Sequence, residues 1–158
     1  MRPLRLLLVL VTLVGLTGCG MHIPSDPDDT LNRAKNGELV VGISHRPPWT
    51  DISKPDEPSG TEVELVGAFA SSIDADVAWH AGSEEELMTM LKDDQLDMII
   101  GGITDKSPWT SHAALTTSYT ESAGPDGKKE KHVMAVRMGE NAFMAELEKF
   151  LLAQGLQP

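Results

Sequence analysis

Between Glu38 and Gly102 the chain switches back and forth between two hydrophobic periods, and that alternation limits its fold more than any other feature. Glu38-Leu-Val-Val-Gly-Ile43 is a continuous apolar run rich in β-branched residues, the pattern of a strand buried on both faces. Over Thr61 to Asp74 the apolar residues Val63, Val66, Phe69, Ala70 and Ile73 recur at three- and four-residue steps, which predicts an amphipathic helix. Glu62 and Glu64 fall in its first turn, where the helix dipole favours carboxylates. A second strand is predicted around Val77 to His80. Ser83-Glu-Glu-Glu86 then fits a capping box, opening a helix that runs to about Lys92 with Leu87, Met90 and Leu91 inward. Leu96 to Gly102 reads as a third strand. Such alternation with short connections implies an α/β fold, a mainly parallel sheet wound by right-handed crossovers, with the loops after the strands gathered on one edge.

Two loops reach that edge. Ser44 to Gly60 carries Trp49, and Ile103 to Tyr119 carries Thr104, Asp105, Ser107 and Trp109. Glu121 to Glu130 reads as a hydrophilic turn, Lys131 to Arg137 as a strand returning through Val133 and Val136, and Glu140 to Ala153 as a closing helix. Its apolar stripe is Phe143, Leu147, Phe150 and Leu151, and Gly155 supplies a stop. Residues 37–158 are therefore expected to form one domain.

The first residues have a different character. Arg2 and Arg5 precede the apolar run Leu6 to Val14, and small residues lead to Leu16-Thr-Gly-Cys19, which resembles a bacterial lipobox. Residues 1–18 are thus expected to be a lipoprotein signal peptide and Cys19 to be lipidated, anchoring the protein to the membrane on the periplasmic face. Residues 19–36 contain Pro24, Pro27, Asp26, Asp28 and Asp29, the composition of a solvated tether with no core residues. The net charge of −11 becomes more negative once Arg2 and Arg5 are removed, which argues against nucleic acid and polyanionic membrane surfaces as partners.

Several segments, taken in order, carry a family resemblance. Gly37-Glu-Leu-Val-Val-Gly42, Pro47-Pro48-Trp49, Ser59-Gly60-Thr-Glu-Val-Glu64-Leu65, Leu96-Asp97 into Gly101-Gly102-Ile103-Thr104, and Thr116 to Tyr119 together resemble the family 3 extracellular solute-binding proteins of ABC importers. The resemblance implies a type II periplasmic-binding-protein-like lobe with three layers, α-β-α, whose mainly parallel sheet includes an antiparallel return strand. The family's second lobe, which would follow Tyr119, is replaced by the short Glu121 to Glu130 stretch, leaving half a clamshell. By the same resemblance Trp49 is a wall for a ligand side chain, and Gly102 and Thr104 receive a ligand's amino and carboxylate ends. Ser107 occupies the place where the family often has an arginine, a charge that Lys106 or Arg46 would then supply. Glu64, with Glu62, lies at the acidic end of the family's Gly-x-x-x-Glu segment, the alternative for both being compensation of the helix dipole.

The function implied is a lipid-anchored extracytoplasmic protein that binds an amino acid or small polar metabolite. Its partners would be that solute together with an ABC permease or a second copy of the chain. The alternative is an interaction or regulatory lipoprotein that uses the lobe as a scaffold and presents Trp49 and Trp109 to a protein partner. Catalytic motifs are missing from the sequence: it has no Gly-x-Ser-x-Gly elbow, no phosphate-cradling loop with a lysine and no free cysteine nucleophile once Cys19 is lipidated. His22, His45, His80, His112 and His132 do not fall at metal-ligand spacing, so neither a metal nor a cofactor is expected.

Overall fold

The computed structural model describes residues 25–54 and 57–155; the signal segment and Cys19 lie outside them. In chain order the elements are α1 (Thr30–Ala34), β1 (Glu38–Ile43), α2 (Thr61–Ser72), β2 (Asp76–Ala81), α3 (Glu84–Lys92) and β3 (Met98–Ile100). A 3₁₀ turn at Pro108–Ser111 leads to β4 (Ala114–Leu115), β5 (Thr120–Ala123), β6 (Lys129–His132), β7 (Ala135–Val136) and α4 (Asn141–Ala153). Five strands form one sheet in the order β2-β1-β3-β7-β4, and β5 and β6 form a separate hairpin. β1 runs parallel to β2 and β3, whereas β7 is antiparallel to β3 and β4. This is the expected mainly parallel sheet with an antiparallel return.

Strand alternation divides the interior into two cores. Leu39, Val41, Ile43, Met98, Ile100 and Val136 point to one face, where Val66 and Phe69 of α2 and Phe143, Leu147 and Leu151 of α4 cover them. Ile99 and Ala135 point to the other face and meet Leu87, Met88 and Leu91 of α3. Helices thus cover both faces, giving three layers. The capping at Ser83 is as predicted, its hydroxyl accepting from the Glu86 amide at 3.3 Å.

Two expectations are corrected. Residues 25–36 are part of the lobe, since Thr30 and Ala34 are fully buried and Leu31 packs against the first core. The acidic residues that look like breakers are hydrogen-bond acceptors for another element. Asp26 Oδ1 takes the amides of Ala142 and Phe143 at 2.6 and 3.0 Å, capping α4 from a distant point in the chain. Glu140 answers by accepting from the amides of Asp28 and Thr30, each at 3.1 Å. Asp26→Ala is expected to cost about 1–2 kcal/mol, the usual worth of a helix cap, and to raise hydrogen exchange in the first turn of α4 when mapped by mass spectrometry.

The second correction concerns Lys131 to Arg137, which is not one strand. Its first part pairs with β5, Thr120 opposite His132, and its last part joins the main sheet, Val136 opposite Met98. Val133 and Met134 between them are buried in different cores, so the chain changes sheets there. Beyond Tyr119 the chain runs out along β5, turns at Gly124–Gly127 and comes straight back. That hairpin stands where the resemblance would place a second lobe.

Candidate functional site

The carboxyl ends of β1 and β3 meet at the open edge of the sheet, and the chain after each strand is fixed there by local bonds. After β1, Ser44 donates its amide to the Ile100 carbonyl at 3.1 Å, and Thr50, fully buried, donates its hydroxyl to the Ser44 carbonyl at 2.5 Å. Between them the loop passes through the cis Pro47–Pro48 bond and delivers Trp49. Gly60 closes the loop onto α2: its φ is +122° and a side chain would stand 2.3 Å from the Trp49 carbonyl.

After β3, Gly101 and Gly102 adopt φ of +152° and +65°. A Cβ on Gly102 would lie 2.7 Å from Cδ1 of Trp49 and 2.9 Å from Cγ of Arg46, so these two side chains rest on the glycine backbone. Beneath the turn sits Glu62, with no exposed surface. Its Oε2 accepts from the amides of Gly101 and Gly102 at 2.8 and 2.9 Å, and Oε1 accepts from the Tyr119 hydroxyl. Burial pushes the Glu62 carboxyl above its ordinary range, while the three donors pull it back. Burial, reinforced by the Glu62 carboxylate, raises the Tyr119 phenol. Dipole compensation therefore does not describe Glu62, which ties α2, the Gly101–Gly102 turn and Tyr119 together.

The other ring at the edge is His132. It is buried, lies 3.9 Å from Trp49 between ring centroids, and shares a 2.7 Å hydrogen bond with Ser122 across the hairpin. Burial lowers its pKa, and its Nδ1 has no hydrogen-bond partner among the described residues. Thr104 bridges to His132 and is half-buried, and Ser107 caps the 3₁₀ turn through the Trp109 amide at 3.4 Å. Trp109 in turn donates Nε1 to Glu84 at 2.7 Å, pinning this loop to the start of α3. Ser44, His45, Arg46, Gly82, Ser83, Glu84 and Gly101 line a cleft of about 320 Å³ between the ends of β1, β2 and β3.

Of the residues singled out from sequence, Trp49 and Gly102 are in contact distance, and Thr104 reaches the same group of side chains through His132. Ser107 lies in the neighbouring turn. Glu64 is exposed on α2 and stands apart from the turn that Glu62 holds. Glu62 had a signal: counted from Val66, Phe69 and Ile73, it lies four residues further back on the buried stripe of the helix. His132 and Glu84 had none, because only tertiary contacts bring them to the edge. Among the described residues there is no cluster of three or more metal-ligating side chains, and no helix is long and apolar enough to cross a membrane.

A sequence-family model described as bacterial extracellular solute-binding proteins, family 3, matches residues 39–154. The arginine-bound form of domain 1 from TmArgBP superposes with a TM-score of 0.67 at 23% identity, covering 77% of this chain and 97% of that one. An ancestral arginine-binding protein bound to arginine gives 0.65 at 13% identity, covering 75% of this chain and 92% of that one. The L-cystine solute receptor of Neisseria gonorrhoeae, in an unliganded open conformation, gives 0.66 at 13%, with 79% and 90% covered. At these identities the likeness is one of fold. Comparison with curated proteins finds no match.

Proposed function

The chain belongs to the bacterial extracellular solute-binding proteins, family 3, and on that basis we propose that its single lobe captures an amino acid or a similar small polar metabolite at the open sheet edge. In this reading Trp49 offers a flat apolar wall, Thr104 and the Gly102 backbone offer polar contacts, and Ser107 completes the rim, while Glu64, exposed on α2, takes no part. Cys19 carries a lipid that keeps the protein at the periplasmic face of the membrane, where it passes solute to an ABC permease. The binding role needs no catalytic group.

The observation that carries this proposal is that an isolated lobe of the same fold, domain 1 from TmArgBP, is described as arginine-bound. A second lobe is thus not a precondition for a domain of this fold to hold a ligand. A one-sided site leaves part of the ligand in water and does little to exclude solvent around polar contacts, so affinity is expected in roughly the micromolar-to-millimolar range. Calorimetric titration of the full chain with the common amino acids and a panel of small organic acids and amines tests the proposal. A saturable signal that Thr104→Ala weakens roughly tenfold supports it, this being the usual cost of losing one polar contact in a site. A chain that responds to none of them overturns it and favours the scaffold alternative.

A further inference from the structure

The cleft at the sheet edge presents two opposite charges that the protein itself leaves unmatched. Arg46 and Glu84 both line it, from the loop after β1 and the first turn of α3. Neither takes part in a salt bridge among the described residues, although the chain has enough charge to supply partners. They do not pair with each other either. Arg46 lays its stem over Gly102 and is exposed as a residue. Glu84 is half-buried, and one carboxylate oxygen is held by Trp109 Nε1, which fixes the group without neutralising it.

We infer that Glu84 and Arg46 are the charge-reading residues of this cleft, Glu84 taking the ammonium and Arg46 the carboxylate of a small zwitterion, with Trp109 as the residue that positions Glu84. The inference rests on the solute-binding proposal and adds to it the charge pattern of the ligand and the residues that select it. A zwitterion exchanges the hydration of both side chains for charge-assisted hydrogen bonds at once. A dicarboxylate would place a like charge against Glu84, and a diamine would do the same against Arg46. Arg46 matters more than its exposure suggests. On a protein of net charge −11 a free anion is repelled from most of the surface, and this guanidinium gives a carboxylate a favourable place at the cleft.

The test uses the full chain, calorimetry and three probes: the tightest-binding amino acid, its decarboxylated amine and its deaminated acid. Glu84→Gln keeps an acceptor for Trp109 and removes the charge. It is expected to weaken the amino acid roughly tenfold or more and to leave the deaminated acid unchanged or improved. Arg46→Gln should mirror this, weakening the amino acid and sparing the amine. Trp109→Phe should weaken the amino acid in the native background and add little once Glu84 is Gln, a non-additivity that a merely structural tryptophan would not produce. Tryptophan-monitored unfolding of Glu84→Gln and Arg46→Gln confirms that both variants fold. If both bind the amino acid within about twofold of the native chain, the charge assignment is overturned while solute binding stands. If the native chain binds no amino acid, this inference falls, and if it also binds none of the small organic acids and amines, the solute-binding proposal falls with it.

Discussion

Glu62→Ala is expected to destabilise the lobe by about 3–5 kcal/mol, enough to consume much of a small domain's stability and to unfold part of the population at physiological temperature. The substitution strands the amides of Gly101 and Gly102 and the Tyr119 hydroxyl, all now satisfied by one carboxylate with no exposed surface. Denaturant titration followed by tryptophan fluorescence measures the loss. Glu62→Gln is the informative control, because an amide can still accept from the two glycines. The control should lose far less, and it should also change the pH dependence. Burial raises the folded-state pKa of Glu62 above 4.5, so just above that value the folded protein binds more protons than the unfolded one. Stability from the protonated form is therefore present below 4.5 and lost as pH rises through the raised folded value. The native chain should lose ground relative to Glu62→Gln over that rise. A constant difference between the two across the range would show that Glu62 does not titrate as its burial requires.

Asp97→Ala is the second large effect, again about 3–5 kcal/mol, and it acts at the opposite end of the sheet. Asp97 is buried at the start of β3, accepts from the Val40 amide at 2.9 Å, pairs with Arg33 and lies 3.9 Å from Arg137. Arg137 is itself 5% exposed and also reaches Thr30, Asp28 and Asp94. Removing Asp97 leaves a buried guanidinium short of its most buried counter-charge and orphans a strand amide. Asp97→Asn, which keeps the acceptor and loses the charge, should fall between Ala and native. Asp97 and Arg137 are shielded from solvent whereas Arg33 is 46% exposed, so moderate salt should reduce only the part of the loss that comes from Arg33. A cost below about 1 kcal/mol for Ala would mean that Asp28 and Asp94 carry the arginine by themselves.

The parts of the fold legible in the sequence are those whose hydrophobic period is local. β1, α2, α3 and β3 each bury side chains in a pattern their own residues display, β2 is a partly buried edge strand that its β-branched and aromatic residues mark, and the short connections leave little choice of topology. The amino-terminal segment was hidden because Asp26, Asp28 and Thr30 look like a solvated run until α4 and Glu140 are placed beside them. The return segment misled for a different reason. Alternation through Val133 and Val136 is real, but His132 belongs to the hairpin and Ala135 to the main sheet, and a change of sheet within a few residues leaves no mark on periodicity. At the candidate site the sequence pointed to Trp49, Gly102 and Thr104. It was silent on His132 and Glu84, which reach the edge only through the hairpin and through the indole of Trp109.

The capping of α4 by Asp26 bears on how the lobe responds to mechanical load. Residues 25–34 are knitted to α4, Arg137 and the start of β3, all at the amino-terminal ends of the central strands, whereas the cleft lies at their carboxyl ends. A pull on the chain at Ser25 is borne first by the bonds from Asp26 to α4 and by the Glu140 contacts. The Gly101–Gly102 turn and Trp49 stand at the far end of the sheet and are strained only after that base has given way.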